Sequence, residues 1–286
     1  MKITIVGHVC IDENVSEGEA ATRLAGSPAV FMNRLFSHDR ALDVSILAPY
    51  GDDFEEFAAE LPLLSRPLHA RTLLYRNVLT GTHRRQEVEH AEASAPGDID
   101  AIAGIELERT DLLILSPLLP NFDVDYVREV RRRVPAEAVT VLLPQGYMRT
   151  VASDGRVNKR DFVEFAEVLP LVDIAVFSDE DTDDALARGA EWSRRFVNTS
   201  IVVTQNKYGA TLFRRGAATV IGAPLIGAVD PLATVGAGDV FSAALSVSYV
   251  AKRDLGLAVA DANEAAAEFL QRSELGAEAP LAALRY

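Results

Sequence analysis

Short apolar runs that read as strands alternate along this chain with stretches of helical periodicity, and that alternation is the strongest constraint on its fold. Residues 2–7, 44–48, 111–115, 139–143, 174–177 and 200–204 are the strand candidates. Helical spacing fits residues 29–37, 54–61, 124–133, 160–169, 181–196, 239–250 and 255–272. Strand and helix in repeated succession call for a parallel sheet covered by helices. One section breaks the pattern. Residues 71–78 and 83–90, joined by Leu-Thr-Gly-Thr, read as a β-hairpin, and residues 13–24 add a strand or two beside it. Placing Leu74, Arg76 and Val78 opposite Arg84, Gln86 and Val88 gives this hairpin one face apolar enough to cover a cleft or meet a second subunit. The chain therefore reads as one domain over residues 1–286, with lid strands inserted at about 13–24 and 71–90. No internal repeat or linker interrupts it.

Charge and cysteine content narrow the classes of function. The formal net charge of -14 opposes binding to nucleic acid or to an anionic membrane, and Arg131 to Arg133 reads as the solvated end of a helix. Cys10 is the only cysteine, so no disulfide framework or cysteine metal cluster can form. The chain runs from Met1 directly into a strand candidate, and no apolar run approaches transmembrane length. These features together predict a soluble cytoplasmic protein.

Chemistry concentrates in Ala233-Thr-Val-Gly-Ala-Gly-Asp239-Val-Phe-Ser242 and the apolar run that follows it. Gly236, Ala237 and Gly238 let backbone N–H groups converge without side-chain obstruction, and the following helix adds its positive N-terminal dipole. That is a seat for an anion. Asp239 stands in the first turn, placed to take a proton from a hydroxyl that attacks a bound phosphate. The same residues also suit a tight loop whose Asp caps the helix.

The segment GAGDVFSAAL resembles the C-terminal signature of the PfkB, or ribokinase-like, family of carbohydrate and nucleoside kinases. The resemblance implies a three-layer α/β/α sandwich with a mostly parallel central sheet and a small β-sheet lid. It implies Asp239 as general base, Gly236, Ala237 and Gly238 as the anion hole, and ATP with Mg2+ as the phosphoryl-donor system. In Val6-Gly-His-Val-Cys-Ile-Asp12, it makes Asp12 the residue that binds acceptor hydroxyls. Ala25-Gly26 stands where the family has a Gly-Gly pair, making Gly26 a substrate-site residue, while Val30 replaces the family's Asn. This form is similar to that of myo-inositol kinases within the superfamily, which points to a sugar or cyclitol acceptor.

Four further segments follow the resemblance. Leu143-Pro-Gln145-Gly-Tyr-Met-Arg149 falls at a strand end facing the cleft, with Leu143 in place of an Asp and with Gln145 and Arg149 as its polar groups. Arg149 suits pairing with the transferred phosphate or a surface ion pair. Asp181 of Ser178-Asp-Glu-Asp181 takes the place of a carboxylate that orders water around Mg2+, though an acidic helix start would read the same way. Thr204, Asn206 and Gly209 occupy a strand-to-turn segment beside the nucleotide, with Asn206 where the family has Gly. Asn263 lies on the helix that borders adenine.

Upstream of the Gly motif, either Asp230 or the position of Ala233 answers to the family's further Asp. The readings that stand are an ATP-dependent sugar or cyclitol kinase, a nucleoside kinase on the same fold, and a catalytically degenerate ligand-binding relative. The lid would be the surface for any homodimer.

Overall fold

Ile3 to Gly7 are all buried, and their side chains go alternately to opposite sides of the strand, so the chain begins in the middle of a sheet covered on both faces. The computed structural model describes residues 1–16, 20–80, 83–227 and 234–274. Its strands are β1 (Lys2–Gly7), β2 (Cys10–Ser16), β3 (Thr22–Gly26), β4 (Asp43–Leu47), β5 (Leu74–Thr80), β6 (His83–Glu89) and β7 (Leu112–Ser116). They continue as β8 (Val139–Leu142), β9 (Arg149–Val151), β10 (Val157–Lys159), β11 (Ile174–Ser178), β12 (Ser200–Thr204), β13 (Ala210–Arg214) and β14 (Ala217–Ile221). The helices are α1 (Pro28–Phe36), α2 (Glu55–Ala58), α3 (Ala101–Glu108), α4 (Val124–Arg133), α5 (Phe165–Val168), α6 (Ala185–Arg195), α7 (Ala237–Lys252) and α8 (Leu255–Glu274).

The central sheet has eight strands in the order β14-β13-β12-β11-β8-β7-β1-β4. From β4 to β12 the neighbours are parallel, while β13 and β14 close one edge as an antiparallel pair. Strand alternation divides the core in two. Ile3, Ile5, Ile114, Val176 and Val202 pack against α1, α7 and α8. Val6, Leu113, Leu115, Phe177 and Val203 pack on the other side against α3, α4, α5 and α6, where Trp192 meets the rings of Phe162, Phe165 and Phe177. The result is the ribokinase-like α/β/α arrangement that the sequence resemblance implied. Val30 and Leu143, which replace polar family residues, are both core side chains here.

Several elements differ from the sequence expectation for local reasons. The helix expected over 181–196 starts at Ala185, because Asp184 is left-handed at φ 55° and ends the preceding turn. Only residues 165–168 of the stretch 160–169 are α-helical, and α2 covers only 55–58 of 54–61. Helix α3 was hidden from periodicity because its Ile102 and Ile105 are exposed. Its N-terminus is closed by Asp100, whose carboxylate accepts from the amides of Ile102 and Ala103. The pair β13–β14 turns on Arg215 and Gly216, both at positive φ, as a tight hairpin turn requires.

A separate four-stranded sheet runs β3-β2-β5-β6, and the pair β9–β10 meets it at a bridge between Glu87 and Arg156. This sheet corresponds to the expected insertions, but the hairpin register corrects the sequence reading. Leu74 pairs with Glu89, Arg76 with Glu87 and Val78 with Arg85, because pairing continues to Thr80 and His83. A shift of one residue moves a strand's whole side-chain set to the other face. The expected broad apolar face is therefore replaced by two faces of different character. One carries ion pairs from Glu13 to Arg23 (2.8 Å) and Arg76 (2.5 Å), and from Arg76 to Glu89 (2.8 Å). The other carries Asp12, Asn14, Tyr75, Asn77, Gln86 and Val88.

Candidate active site

Gly236 is the N-cap residue just before helix α7; its φ of 89° is left-handed, and a Cβ on it would lie 2.7 Å from the Phe31 ring. Glycine is thus required twice, by backbone conformation and by contact. No side chain caps this helix end, so its first amides point outward as a ready anion seat. Around Gly238 a Cβ would meet nothing within 4 Å, so the seat is open. Asp239 follows in the first turn. Burial pushes its carboxyl up to about 7, Asp12 and Asp181 push the same way, and the Arg149 guanidinium opposes them. Asp230 and Ala233 lie outside the described residues.

Asp12 stands on β2 beside the buried Gly26 of β3. A Cβ on Gly26 would meet Asp12 Oδ2 at 2.1 Å. The sequence places both residues in the site, and the structure adds that one makes room for the other. Cys10, two residues before Asp12 on the same side of β2, donates its thiol to Asp12 Oδ1 at 3.5 Å. Burial first, then the neighbouring Asp12, raises the thiol well above its ordinary range, so it stays protonated.

Arg149 links the two sheets. It opens β9 directly after the turn at Pro144–Met148, and its Nη2 donates to Gln145 Oε1 at 2.8 Å while Nη1 donates to Tyr75 Oη at 3.3 Å. Its guanidinium also lies 5.8 Å from the centre of the Tyr75 ring. No ion pair joins Arg149 to a carboxylate among the described residues, which leaves its charge available to a ligand. Tyr75 is the one site partner that the motifs did not single out. In the sequence it stands out only as an aromatic ring of the lid segment, and its place opposite Asp12 comes from the strand pairing.

Asp181 sits in the turn after β11, where Oδ2 accepts from Ser178 N at 2.8 Å. Burial raises its carboxyl, and the Ser178 amide and Arg149 oppose that rise. This turn meets the next one directly. Asp179 N donates to Thr204 O at 3.0 Å, and Asn206 Nδ2 donates to Glu180 Oε1 at 2.9 Å. Asn206 has φ 49°, the left-handed conformation that its replacement of Gly demands. Gly209 has φ 92°, and a Cβ there would lie 2.2 Å from Ile221 O. Asn263 is tied elsewhere, donating its amide to the carbonyls of Ile221 (3.0 Å) and Gly222 (3.2 Å). Among the described residues, no group of three or more His, Cys, Asp and Glu side chains converges as a metal cage.

An open α/β sheet presents its loops at the carboxyl ends of its parallel strands, and Asp12, Arg149, Asp181 and Asp239 all follow such ends or adjoin them. Three carboxylates and one guanidinium thus act electrostatically on one another beside an uncapped helix N-terminus, an arrangement chemically able to hold an anion next to a proton acceptor. The model of the pfkB family carbohydrate kinases matches residues 49–282, and the chain belongs to that family.

Solved structures agree on the fold. A pyrophosphate-dependent myo-inositol-1 kinase, converted into a myo-inositol-3 kinase by two substitutions, is 19% identical with TM-score 0.75, covering 98% of this chain and 95% of its own. An adenosine kinase from Sinorhizobium meliloti is 16% identical with TM-score 0.68, covering 99% and 97%. A ribokinase from Arabidopsis thaliana, complexed with ribose and ATP, is 15% identical with TM-score 0.68, covering 98% and 94%. No curated protein matches by sequence. No helix among the described residues is long and apolar enough to cross a membrane.

Proposed function

We propose that this carbohydrate kinase transfers a phosphoryl group from a polyphosphate donor to a hydroxyl of a neutral sugar or cyclitol. The observation that carries this reading is Asp239: a carboxyl titrating at about 7, in the first turn of an uncapped helix, beside Asp12 and Arg149. A base with a pKa near the operating pH is suited to take a proton at the moment of attack. Asp12 accepts from acceptor hydroxyls and orients one of them toward Asp239. The proton of that hydroxyl passes to Asp239 as its oxygen attacks phosphorus, and the donor's remaining phosphate leaves. The backbone amides from Gly236 to Gly238 and the Arg149 guanidinium stabilise charge on the transferred group.

Mg2+ fits this site without a protein cage, since it keeps several waters and is held by one or two carboxylates plus substrate phosphates. Asp181 is the residue that would hold it through water, and the ion would supply charge neutralisation on the donor. The turn from Thr204 to Gly209 borders the donor. The motifs imply ATP. A second reading, inorganic pyrophosphate, has its own support: the side-chain amides of Asn206 and Asn263 are engaged within the protein, which leaves little to recognise an adenine base. A neighbour of the same fold uses pyrophosphate. The small sheet acts as a lid over the acceptor, and a homodimer would form through it.

A matrix of acceptors (myo-inositol, glucose, ribose, adenosine) against donors (ATP, pyrophosphate) with Mg2+ tests all of this by 31P NMR. Acceptor-dependent transfer to myo-inositol or a sugar supports the reading. Transfer to adenosine alone would replace it by a nucleoside kinase, and no transfer from either donor would leave a ligand-binding relative.

A further inference from the structure

One edge of the central sheet is covered along only part of its length. Strand β4 stands at that edge and pairs with β1 on its inner side. Asp43 N donates to Met1 O, so the backbone groups of Asp43 face β1, and those of Val44 and Ile46 alternate outward. Ile46 is covered there, its amide donating to Pro62 O at 2.9 Å and its carbonyl accepting from Leu64 N at 2.8 Å. Val44 has no such outward partner among the described residues. It opens instead onto a cavity of about 420 Å3 whose walls include Asn33, Leu42, Val44, Glu60, Leu61 and Pro62.

The same cavity holds a second unpaired group. Asn33 is only 7% exposed, and its side-chain amide has no hydrogen-bond partner among the described residues. Helix α1 buries Val30, Met32, Leu35 and Phe36 around it. An amide buried in such company costs stability unless something outside the fold completes its hydrogen bonds. The cavity is also apart from the site already described. Phe31 borders Gly236, and Asn33, two residues on, points about 200° around the helix from it.

We propose that this cavity is a second small-molecule site, separate from the kinase centre, for an uncharged ligand whose planar amide or lactam edge pairs with Asn33 and with the outward backbone of Val44. Each of these groups offers a donor and an acceptor side by side. A carboxamide or lactam carries the complementary acceptor and donor on one rigid plane, the geometry by which asparagine reads a base edge. Leu42, Leu61 and Pro62 supply apolar walls for the ring that bears it. Glu60 is the charged residue of the lining, and no Lys or Arg joins it, so a carboxylate or phosphate on the ligand would be repelled. The volume lies within the range of small-ligand sites, roughly 300–1,000 Å3.

The test uses three probes on the full chain. Uracil carries the edge as a lactam, nicotinamide carries it as a carboxamide, and orotate is uracil with a carboxylate added. Each is titrated to millimolar concentration into 15N-labelled protein, with and without saturating pyrophosphate. Uracil, nicotinamide or both should shift the Val44 backbone amide and the Asn33 side-chain amide together, with one affinity in either condition. A response to uracil alone assigns the ligand to the nucleobases, and a response to nicotinamide alone assigns it to the carboxamides. Asn33→Leu should weaken binding about tenfold or more, because the variant leaves the ligand edge unpaired. Ala59→Trp, at an exposed position on the rim, should do the same by obstruction and does not depend on a core substitution folding. Silence of both amides toward uracil and nicotinamide overturns the site, as does unchanged affinity in the two variants. Orotate binding as tightly as uracil overturns the restriction to uncharged ligands. Binding is read without turnover, so a failure of phosphoryl transfer would not affect this result.

Discussion

Gly26 lies against Asp12 so closely that a Cβ on it would meet Asp12 Oδ2 at 2.1 Å. The Asp12 carboxylate occupies the space that a side chain at position 26 would fill. Gly26→Ala is therefore expected to displace the Asp12 side chain and to raise the acceptor KM about as far as Asp12→Ala does, by about tenfold or more. Donor binding should be unchanged in both. Calorimetric titration with acceptor checks this, and a Gly26→Ala protein with wild-type acceptor affinity would refute the spatial coupling.

Asp239 makes two predictions of opposite sense. As the base it must be ionised, so kcat/KM at saturating donor should rise with pH through about 7 and then level. Asp239→Asn should lower kcat by about two to four orders of magnitude with little effect on donor binding. Stability runs the other way. The folded carboxyl titrates above its ordinary value of 3.8, so the buried charge destabilises the fold increasingly from about pH 4 to about pH 7 and fully above that. The Asn variant should thus melt higher than wild type at pH 8 and gain less at pH 5. A variant that melts lower at pH 8 contradicts the placement of this charge.

Arg149 holds the Asp239 carboxyl down against burial and against Asp12 and Asp181. Arg149→Ala should therefore move the acid limb of the rate profile to higher pH, beyond any loss in kcat from the missing phosphate contact. Asp12→Asn, which removes a repelling carboxylate, should move the limb to lower pH. A limb that stays at the wild-type position in both variants would mean that some other group sets it.

The small sheet, if it shields the acceptor, keeps water from competing for the phosphoryl group. Thr72, Leu73 and Tyr75 are buried, so the base of the hairpin belongs to the folded body and only its outer part is expendable. Replacing residues 76–87 by a short Gly/Ser turn should leave the core intact and raise the ratio of donor hydrolysis to acceptor phosphorylation. Parallel assays of released and transferred phosphate measure that ratio, and an unchanged value would deny the shielding role.

Much of this was legible in local sequence. The central parallel strands, the helix after the Gly motif and the residue pair Gly236 and Asp239 each depend on the pattern of a few neighbouring residues. Asn206 in a left-handed turn was legible too, because few other residues tolerate that conformation. What failed was information carried across the chain. The hairpin register slipped by one residue, since alternation alone fits two pairings and only the pairing of the whole strands, through to Thr80 and His83, distinguishes them. Helix α3 escaped because its exposed Ile102 and Ile105 obscure the buried stripe.

The amino-acid sequence by itself determined the layered α/β architecture, the glycine-bounded start of helix α7 and the carboxylate in its first turn, because strand alternation, glycine conformation and helix capping act over a few residues. The tertiary structure alone decided that Arg149 bonds Tyr75 and Gln145, that Gly26 makes room for Asp12, and that burial brings Asp239 to about 7. Those outcomes depend on which distant segments are packed together and how much water they exclude. Charge and desolvation act through space, so no spacing along the chain encodes them.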